Sequence, residues 1–211
     1  MVKKNGIGQA DTVVVLDFET SGLSPDMGDR AIEIGAVRVE SGIITDRFQE
    51  LMNPGFRISG FIESYTGITN VMLGDAPPCG EVMARFANFI DGDNLVAHNA
   101  SFDRRFLDTE LGKIGKGYSG NMACSMLVAR RILQDAPNHK LETLVHFLPI
   151  ETDGTFHRAL ADSEMTARLW LAMVDRIRDH YLISQPTFSL METISRTCKA
   201  GVNQLLERVG A

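Results

Sequence analysis

The sequence lacks most of what would make it secreted, membrane-spanning or strongly basic. It holds three cysteines, Cys79, Cys124 and Cys198. They show no metal-ligand spacing and leave at least one unpaired, as expected where thiols stay reduced. No apolar run approaches the roughly 20 residues that cross a bilayer, and the polar opening Met1-Val2-Lys3-Lys4-Asn5-Gly6 has no signal-peptide core. A cytoplasmic protein with no membrane partner is the expectation. Basic charge is also short: 21 Lys and Arg stand against 27 Asp and Glu, a formal charge of −6. A long electrostatic hold on nucleic acid needs the opposite balance, so any such hold must be short and local. Low-complexity stretches and internal repeats are missing as well. What remains is 211 residues, 44% hydrophobic, enough to bury one substantial core.

Periodicity gives the organisation. Residues 12–19 are apolar and β-branched, Ala31 to Val39 alternates, and Ser41-Gly42 turns it into a third strand running to about Met52. These three read as an antiparallel meander. A Pro/Gly-containing connector, 53–60, leads to Thr66-Gly67-Ile68-Thr69, where Thr69 can cap a helical turn. A helix is expected from Gly80 to Ile90 with Val82, Phe86, Phe89 and Ile90 as its apolar stripe. Leu95-Val96-Ala97 reads as a buried strand, and a helix begins near Ser101. Residues 122–133 fit a strand or a helix, Lys140 to Leu148 looks helical, and Ala159 to Arg178 forms a long helix. Strands alternating with helices after a meander indicate an α/β fold with a mixed sheet. The boundaries fall at an N-terminal extension, 1–10, a main domain, 11–179, and a partly helical tail, 180–211.

Three local contexts carry chemistry. The apolar run Val13-Val14-Val15-Leu16 passes straight into Asp17-Phe18-Glu19-Thr20. Side chains alternate along a strand, so Asp17 and Glu19 share a face with α-carbons about 7 Å apart. Two carboxylates ending a buried strand pack poorly but ligate hard cations well. In Ala97-His98-Asn99-Ala100-Ser101-Phe102-Asp103, a strand end turns into a helix whose first turn holds Asp103, where the helix dipole favours an anion. In His157-Arg158-Ala159-Leu160-Ala161-Asp162, the two end residues would be rotated about 140° apart on an ideal helix. His157 is therefore expected in the loop before the helix, with the Gly154-containing stretch lending it mobility. Asp162 is fixed inside a helix that Ala161, Met165, Leu169 and Ala172 can pack.

In this order and separation, Asp17-x-Glu19, His98-Asn99-Ala100-x-Phe102-Asp103 and His157-x4-Asp162 resemble the three motifs of the DEDDh exonucleases. This family includes DnaQ-like proofreading subunits, ribonuclease T and oligoribonuclease. The resemblance runs from about residue 11 to 175 and takes in Tyr65-Thr66-Gly67-Ile68-Thr69. It implies a ribonuclease H-like mixed sheet flanked by helices and metal-dependent 3′-to-5′ removal of nucleotides from single-stranded ends. Asp17, Glu19 and Asp162 would hold one divalent cation, Asp17 would reach a second, and Asp103 would assist that second ion. Mg²⁺ suits such oxygen ligands and Mn²⁺ is the expected substitute. His157 would act as general base, and nucleoside 5′-monophosphates would be released.

The resemblance further implies that Phe18 and Thr20, with the adjacent backbone, contact the terminal nucleotide. Leu23 would wedge between the last bases, and His98, Asn99 and Phe102 would line the pocket. Plainer roles stand beside these: Leu23 and Phe102 as core residues, Thr20 as a turn residue, Asn99 as a helix cap. His139, His146 and His180 match no ligand pattern, and Arg104-Arg105 and Arg130-Arg131 read as solvated helix faces. A DNA exonuclease, proofreading or free-standing, is the first functional reading. An exoribonuclease trimming short RNA is the alternative, and a catalytically silent scaffold subunit a third.

The tail segment Gln185-Pro186-Thr187-Phe188-Ser189-Leu190 loosely resembles a bacterial sliding-clamp-binding peptide anchored by Phe188 and Leu190, which would make a clamp or DNA polymerase a partner. Two other readings remain open. Pro186 would separate two helices while Phe188 and Leu190 pack onto the domain, or Leu190, Ile194, Val202 and Leu205 would form a homodimer contact.

Overall fold

The computed structural model describes residues 8–151 and 157–211. Five strands form one sheet in the order β3-β2-β1-β4-β5: β1 (Val13–Thr20), β2 (Ala31–Glu40), β3 (Ile43–Leu51), β4 (Leu95–Ala97) and β5 (Met122–Cys124). β1 to β3 pair antiparallel as the expected meander, and β4 and β5 add parallel strands on the other side of β1. The ambiguous stretch 122–133 is both things at once, β5 followed directly by a helix, Ser125–Ile132.

The helices are α1 (Gly60–Thr66), α2 (Asn70–Asp75), α3 (Cys79–Ile90), α4 (Ser101–Lys113), α5 (Ser125–Ile132), α6 (Leu141–Phe147), α7 (Ala159–Tyr181), α8 (Phe188–Arg196) and α9 (Val202–Gly210). Thr69 caps α2 as expected, its side chain accepting from the Met72 N–H. Both faces of β1 are covered, so its alternation sorts residues between two cores. Val13 and Val15 join Val37, Val39 and the buried side of α7, whereas Val14, Leu16 and Phe18 join α3 and α4. Odd-numbered positions of β1 thus look toward α7, which settles which helix meets Asp17 and Glu19. Phe86 is buried, and it and Phe89 pack against Phe48 at 5.3 and 5.5 Å between centroids, so both are core rings.

The segment expected as a tail is built into the first core. Phe188, Met191, Ile194, Val202 and Leu206 are buried, and Phe188 lies 6.1 Å from the Trp170 ring of α7. Phe188 opens α8, and its backbone N–H donates to Gly8, while Gln9 bridges Thr187. An extended clamp-binding peptide would need Phe188 and Leu190 free, and both are turned inward; the packing alternative describes this segment. The proposed homodimer stripe is likewise consumed inside the chain, with Leu190, Ile194 and Val202 buried and Leu205 half-buried. The helical part of this segment is two helices, α8 and α9, separated by a short 3-10 turn at Lys199–Gly201. Among the described residues no helix is long and apolar enough to cross a membrane.

Because Phe188 is a fully buried aromatic, Phe188→Ala should cost about 3–5 kcal/mol. Thermal melting should show a drop of roughly 10 °C; an unchanged melting temperature would mean that α8 is not part of the cooperative core.

Candidate active site

The site forms where the C-terminal end of β1 meets the first turns of α4 and α7. β1 ends its apolar run at Asp17 and Glu19, and ligand oxygens of Asp17, Glu19 and Asp162 all lie within 4.8 Å of one another. Asp162 belongs to the first turn of α7 and Asp103 to the first turn of α4. Asp103 lies on the opposite side of the strand and reaches round its end, where Oδ1 accepts the Phe18 N–H at 3.2 Å. The four acids are thus neighbours, with three converging and the fourth anchored to the strand backbone.

A buried glutamate in β2, unmarked by the sequence motifs, holds this arrangement. Glu33 accepts from Arg158 Nη2 at 2.9 Å, Arg158 Nε at 3.2 Å, the Ala159 N–H at 3.1 Å and Gln49 Nε2 at 2.9 Å. It therefore fastens the N-terminus of α7 to the sheet and absorbs one of the helix's unpaired N–H groups. Two residues on, Gly35 pairs with Asp17, and a Cβ there would overlap the backbone of Ala159 and Leu160. Ser163 completes the joint, its hydroxyl donating to the Gly35 carbonyl at 2.9 Å. A charge and a glycine inside an otherwise apolar alternating strand were the available signals for Glu33 and Gly35.

The other acidic side of the site is braced similarly. Arg30 makes a two-pronged pair with the buried Glu110 of α4, at 2.6 and 2.8 Å, tying the start of β2 to the helix that carries Asp103.

Electrostatically the cluster is strained toward protonation. Burial, then the charges of Asp103, Asp162, Glu19 and Glu33, hold the Asp17 carboxyl well above its ordinary value. Burial pushes Glu19 up to about 8, with Asp162, Glu33 and Asp103 adding to the rise. Asp103 stands at about 7 through burial, offset in part by the Phe18 N–H. Asp162 stands at about 6 for the same first reason, offset by the His157 N–H, which donates to Oδ2 at 3.1 Å. Among the described residues its other oxygen, Oδ1, is buried with no hydrogen-bond partner. A converging set of carboxylates with one bare buried oxygen fits a hard divalent cation, which would replace the missing partner and neutralise the repulsion.

The remaining positions marked by the sequence divide between exposed and structural. Leu23 is 78% exposed, so the core reading fails for it. Phe102 is half-buried, 5.0 Å from Phe106, beside Arg105, whose Nη2 reaches the Leu23 carbonyl. Phe18 is buried and offers only its backbone, and Thr20 acts in the turn, donating to the Gly22 carbonyl at 2.6 Å. His98 is engaged at both nitrogens. Nε2 donates to the His139 carbonyl at 3.0 Å, which leaves Nδ1 to accept from Ser125 at 2.8 Å, and burial lowers the ring to about 4. Asn99 is exposed with a left-handed φ of +67°, and α4 starts without a side-chain cap, so the capping reading does not hold. His157 lies before α7 as expected, exposed, with φ +61°. The Gly154-containing stretch expected to lend it mobility lies outside the described residues.

Comparison with known proteins agrees with this geometry. The exonuclease family model of the ribonuclease T type matches residues 14–170. The chain belongs to the DEDDh exonuclease family. It is a 3′-to-5′ exonuclease, a phosphodiester hydrolase, on a ribonuclease H-like fold. Among its relatives are the PolC-type DNA polymerase III of Caldanaerobacter subterraneus subsp. tengcongensis, 38% identical over 166 residues, and that of Bacillus cereus, 41% identical over 165. These matches cover 79% and 78% of this chain but only 12% and 11% of those proteins, so this exonuclease spans about an eighth of their length. Exonuclease X in complex with 5′ overhanging duplex DNA superposes with a TM-score of 0.67 at 28% identity, covering 86% of this chain and 98% of that one. The nuclease domain of 3′hExo bound to rAMP shares the fold, with a TM-score of 0.67, 22% identity and 78% and 92% of the two chains covered.

Two measurements test the site. Gly35→Ala should destabilise by about 1–3 kcal/mol and, by displacing Asp162, lower activity on the order of 10²-fold; full activity would separate α7 docking from catalysis. The second is pH-dependent. Each raised carboxyl favours the metal-free fold fully only below its unfolded value near 4, and that contribution is lost as pH rises through about 6 for Asp162, 7 for Asp103 and 8 for Glu19. In EDTA the melting temperature of Asp162→Asn should therefore gain on wild type between pH 5 and 8. Mg²⁺ should stabilise wild type at pH 8 and have little effect at pH 5, where protons compete with it. A flat difference across that range would contradict the raised values.

Proposed function

We propose that this exonuclease hydrolyses single-stranded DNA from the 3′ end, releasing nucleoside 5′-monophosphates, with two Mg²⁺ ions and His157 as general base. The observation that carries the reading is the convergence of Asp17, Glu19 and Asp162 around a buried, unpartnered Asp162 oxygen. Those three would hold one ion, with Asp17 shared and Asp103 assisting the other; Mn²⁺ would substitute. When bound, the ions supply Lewis-acid activation of water and charge stabilisation for the departing 3′ oxygen.

The chain's own groups do the rest. His157, exposed beside Asp162, takes the proton of the attacking water. The Phe18 N–H fixes Asp103, and Glu33 and Gly35 fix Asp162, so the carboxylates are set before substrate arrives. Leu23, exposed at the rim near Phe102, separates the last bases, and the Thr20 turn and Asn99 border the terminal nucleotide. His98 supports this border from behind as a neutral ring. DNA as substrate is supported by the polymerase relatives and by Exonuclease X, whose structure holds DNA. The same relatives support a role in proofreading or repair beside a DNA polymerase. RNA trimming is the competing reading, since the acid cluster itself does not read the 2′-hydroxyl.

Asp17→Ala should abolish turnover at saturating Mg²⁺, and His157→Ala should lower the chemical rate by roughly 10²–10⁴-fold, with His157→Asn no better. Substrates labelled at the 5′ end should give a ladder of shrinking products, and equal-length DNA should be degraded faster than RNA. Near-normal cleavage by Asp17→Ala, or immediate release of a labelled 5′ mononucleotide, would overturn the reading, and a preference for RNA would change the substrate.

A further inference from the structure

Tyr65 places an aromatic ring where the core does not require one. It is 52% exposed near the end of α1, and Phe61, one turn earlier, is 74% exposed. The two rings stack at 6.0 Å between centroids with an interplanar angle of 11°. Tyr65 also packs on the His157 imidazole, 4.2 Å between centroids and tilted by 39°. Its phenol is raised by burial and then by Glu19, Asp162 and Asp17, so the ring stands at the rim of the acid cluster.

His157 needs such a support. It is exposed, with a left-handed backbone, and its N–H is engaged by Asp162 Oδ2 at 3.1 Å. That bond fixes the main chain but leaves the side-chain torsions free, and an exposed imidazole spreads over several rotamers. Contact with an aromatic ring favours one of them by about two- to tenfold. α1 is joined to the sheet through Ile58, Ile62 and Ile68, which pack with Ile32 of β2, so Tyr65 reaches His157 from an element independent of α7.

We propose that Tyr65 is a positioning residue for His157: its ring, backed by Phe61, holds the imidazole beside Asp162 in the rotamer from which it takes the water's proton. This rests on the reading of His157 as general base. The hydroxyl has no part in it; the ring face does.

The test compares kcat and KM for Mg²⁺-dependent degradation of a single-stranded oligonucleotide by wild type, Tyr65→Ala, Tyr65→Phe, His157→Ala and the Tyr65→Ala, His157→Ala double variant. Tyr65→Ala should lower kcat about two- to tenfold with little change in KM, and Tyr65→Phe should restore it. In the His157→Ala background, removing Tyr65 should bring no further loss, a result that a general folding defect would not give. Unchanged kcat in Tyr65→Ala, a rise confined to KM, failure of Tyr65→Phe to restore the rate, or an additive loss in the double variant would each overturn the proposal. If His157→Ala is slow while Tyr65→Ala is normal, only this inference fails. If His157→Ala turns over at the wild-type rate, the general-base reading falls and takes this inference with it.

Discussion

The seating of the α7 N-terminus on β2 is the contact on which the site depends. Asp17 and Glu19 are fixed by a strand buried on both faces, but a strand end supplies only two carboxylates. The third arrives from a helix more than 140 residues later in the chain, and it arrives because Gly35 has no side chain and Glu33 binds Arg158 and the Ala159 N–H. Helix and strand thereby approach to backbone contact at the one level where Asp162 meets Asp17. The same few residues set a backbone-to-backbone contact and the geometry of the acid cluster.

That seating works against electrostatics. Two carboxylate charges within 4.8 Å repel by roughly 3–4 kcal/mol at an effective dielectric of 20. The first-turn positions of Asp162 and Asp103 return about 0.3–1 kcal/mol each through the helix dipole, too little to offset it. The raised carboxyl values follow from burial and from this repulsion, and so does the fit to a divalent cation, which would neutralise the cluster without protonating it. The surrounding core, from Trp170 and Phe188 on one face to Phe86 and Phe106 on the other, holds the acids together in the meantime.

The proposed hold on a strand end has to work on a chain of net negative charge. With a formal charge of −6 the chain cannot hold a phosphate backbone by charge alone. Under the proposed function, exposed Leu23 offers an apolar surface suited to unstacked bases, a grip that is indifferent to net charge, while the Phe61 and Tyr65 rings are engaged with each other and with His157. The family's strand-end chemistry and this chain's acidity are compatible on those terms.

Sequence alone determined the meander and the long final helix, because periods of two and 3.6 residues are local patterns, and it marked Asp17 and Glu19 as carboxylates ending a buried strand; Asp103 and Asp162, on helices, were joined to them by the resemblance of the ordered motifs. It also placed His157 outside the helix, since 3.6 residues per turn forbids a shared face with Asp162. It did not reveal Glu33 and Gly35 as the joint, although a charge and a glycine in a buried strand stood in plain view, because their partners on α7 lie far along the chain. The short strand β5 was undecidable, three residues being too few for any period to show. Only tertiary structure decided the end of the chain: Phe188 and Leu190 have the spacing of a recruitment peptide, and their burial, with Phe188 against Trp170, is a fact of packing between distant segments, which no local pattern encodes.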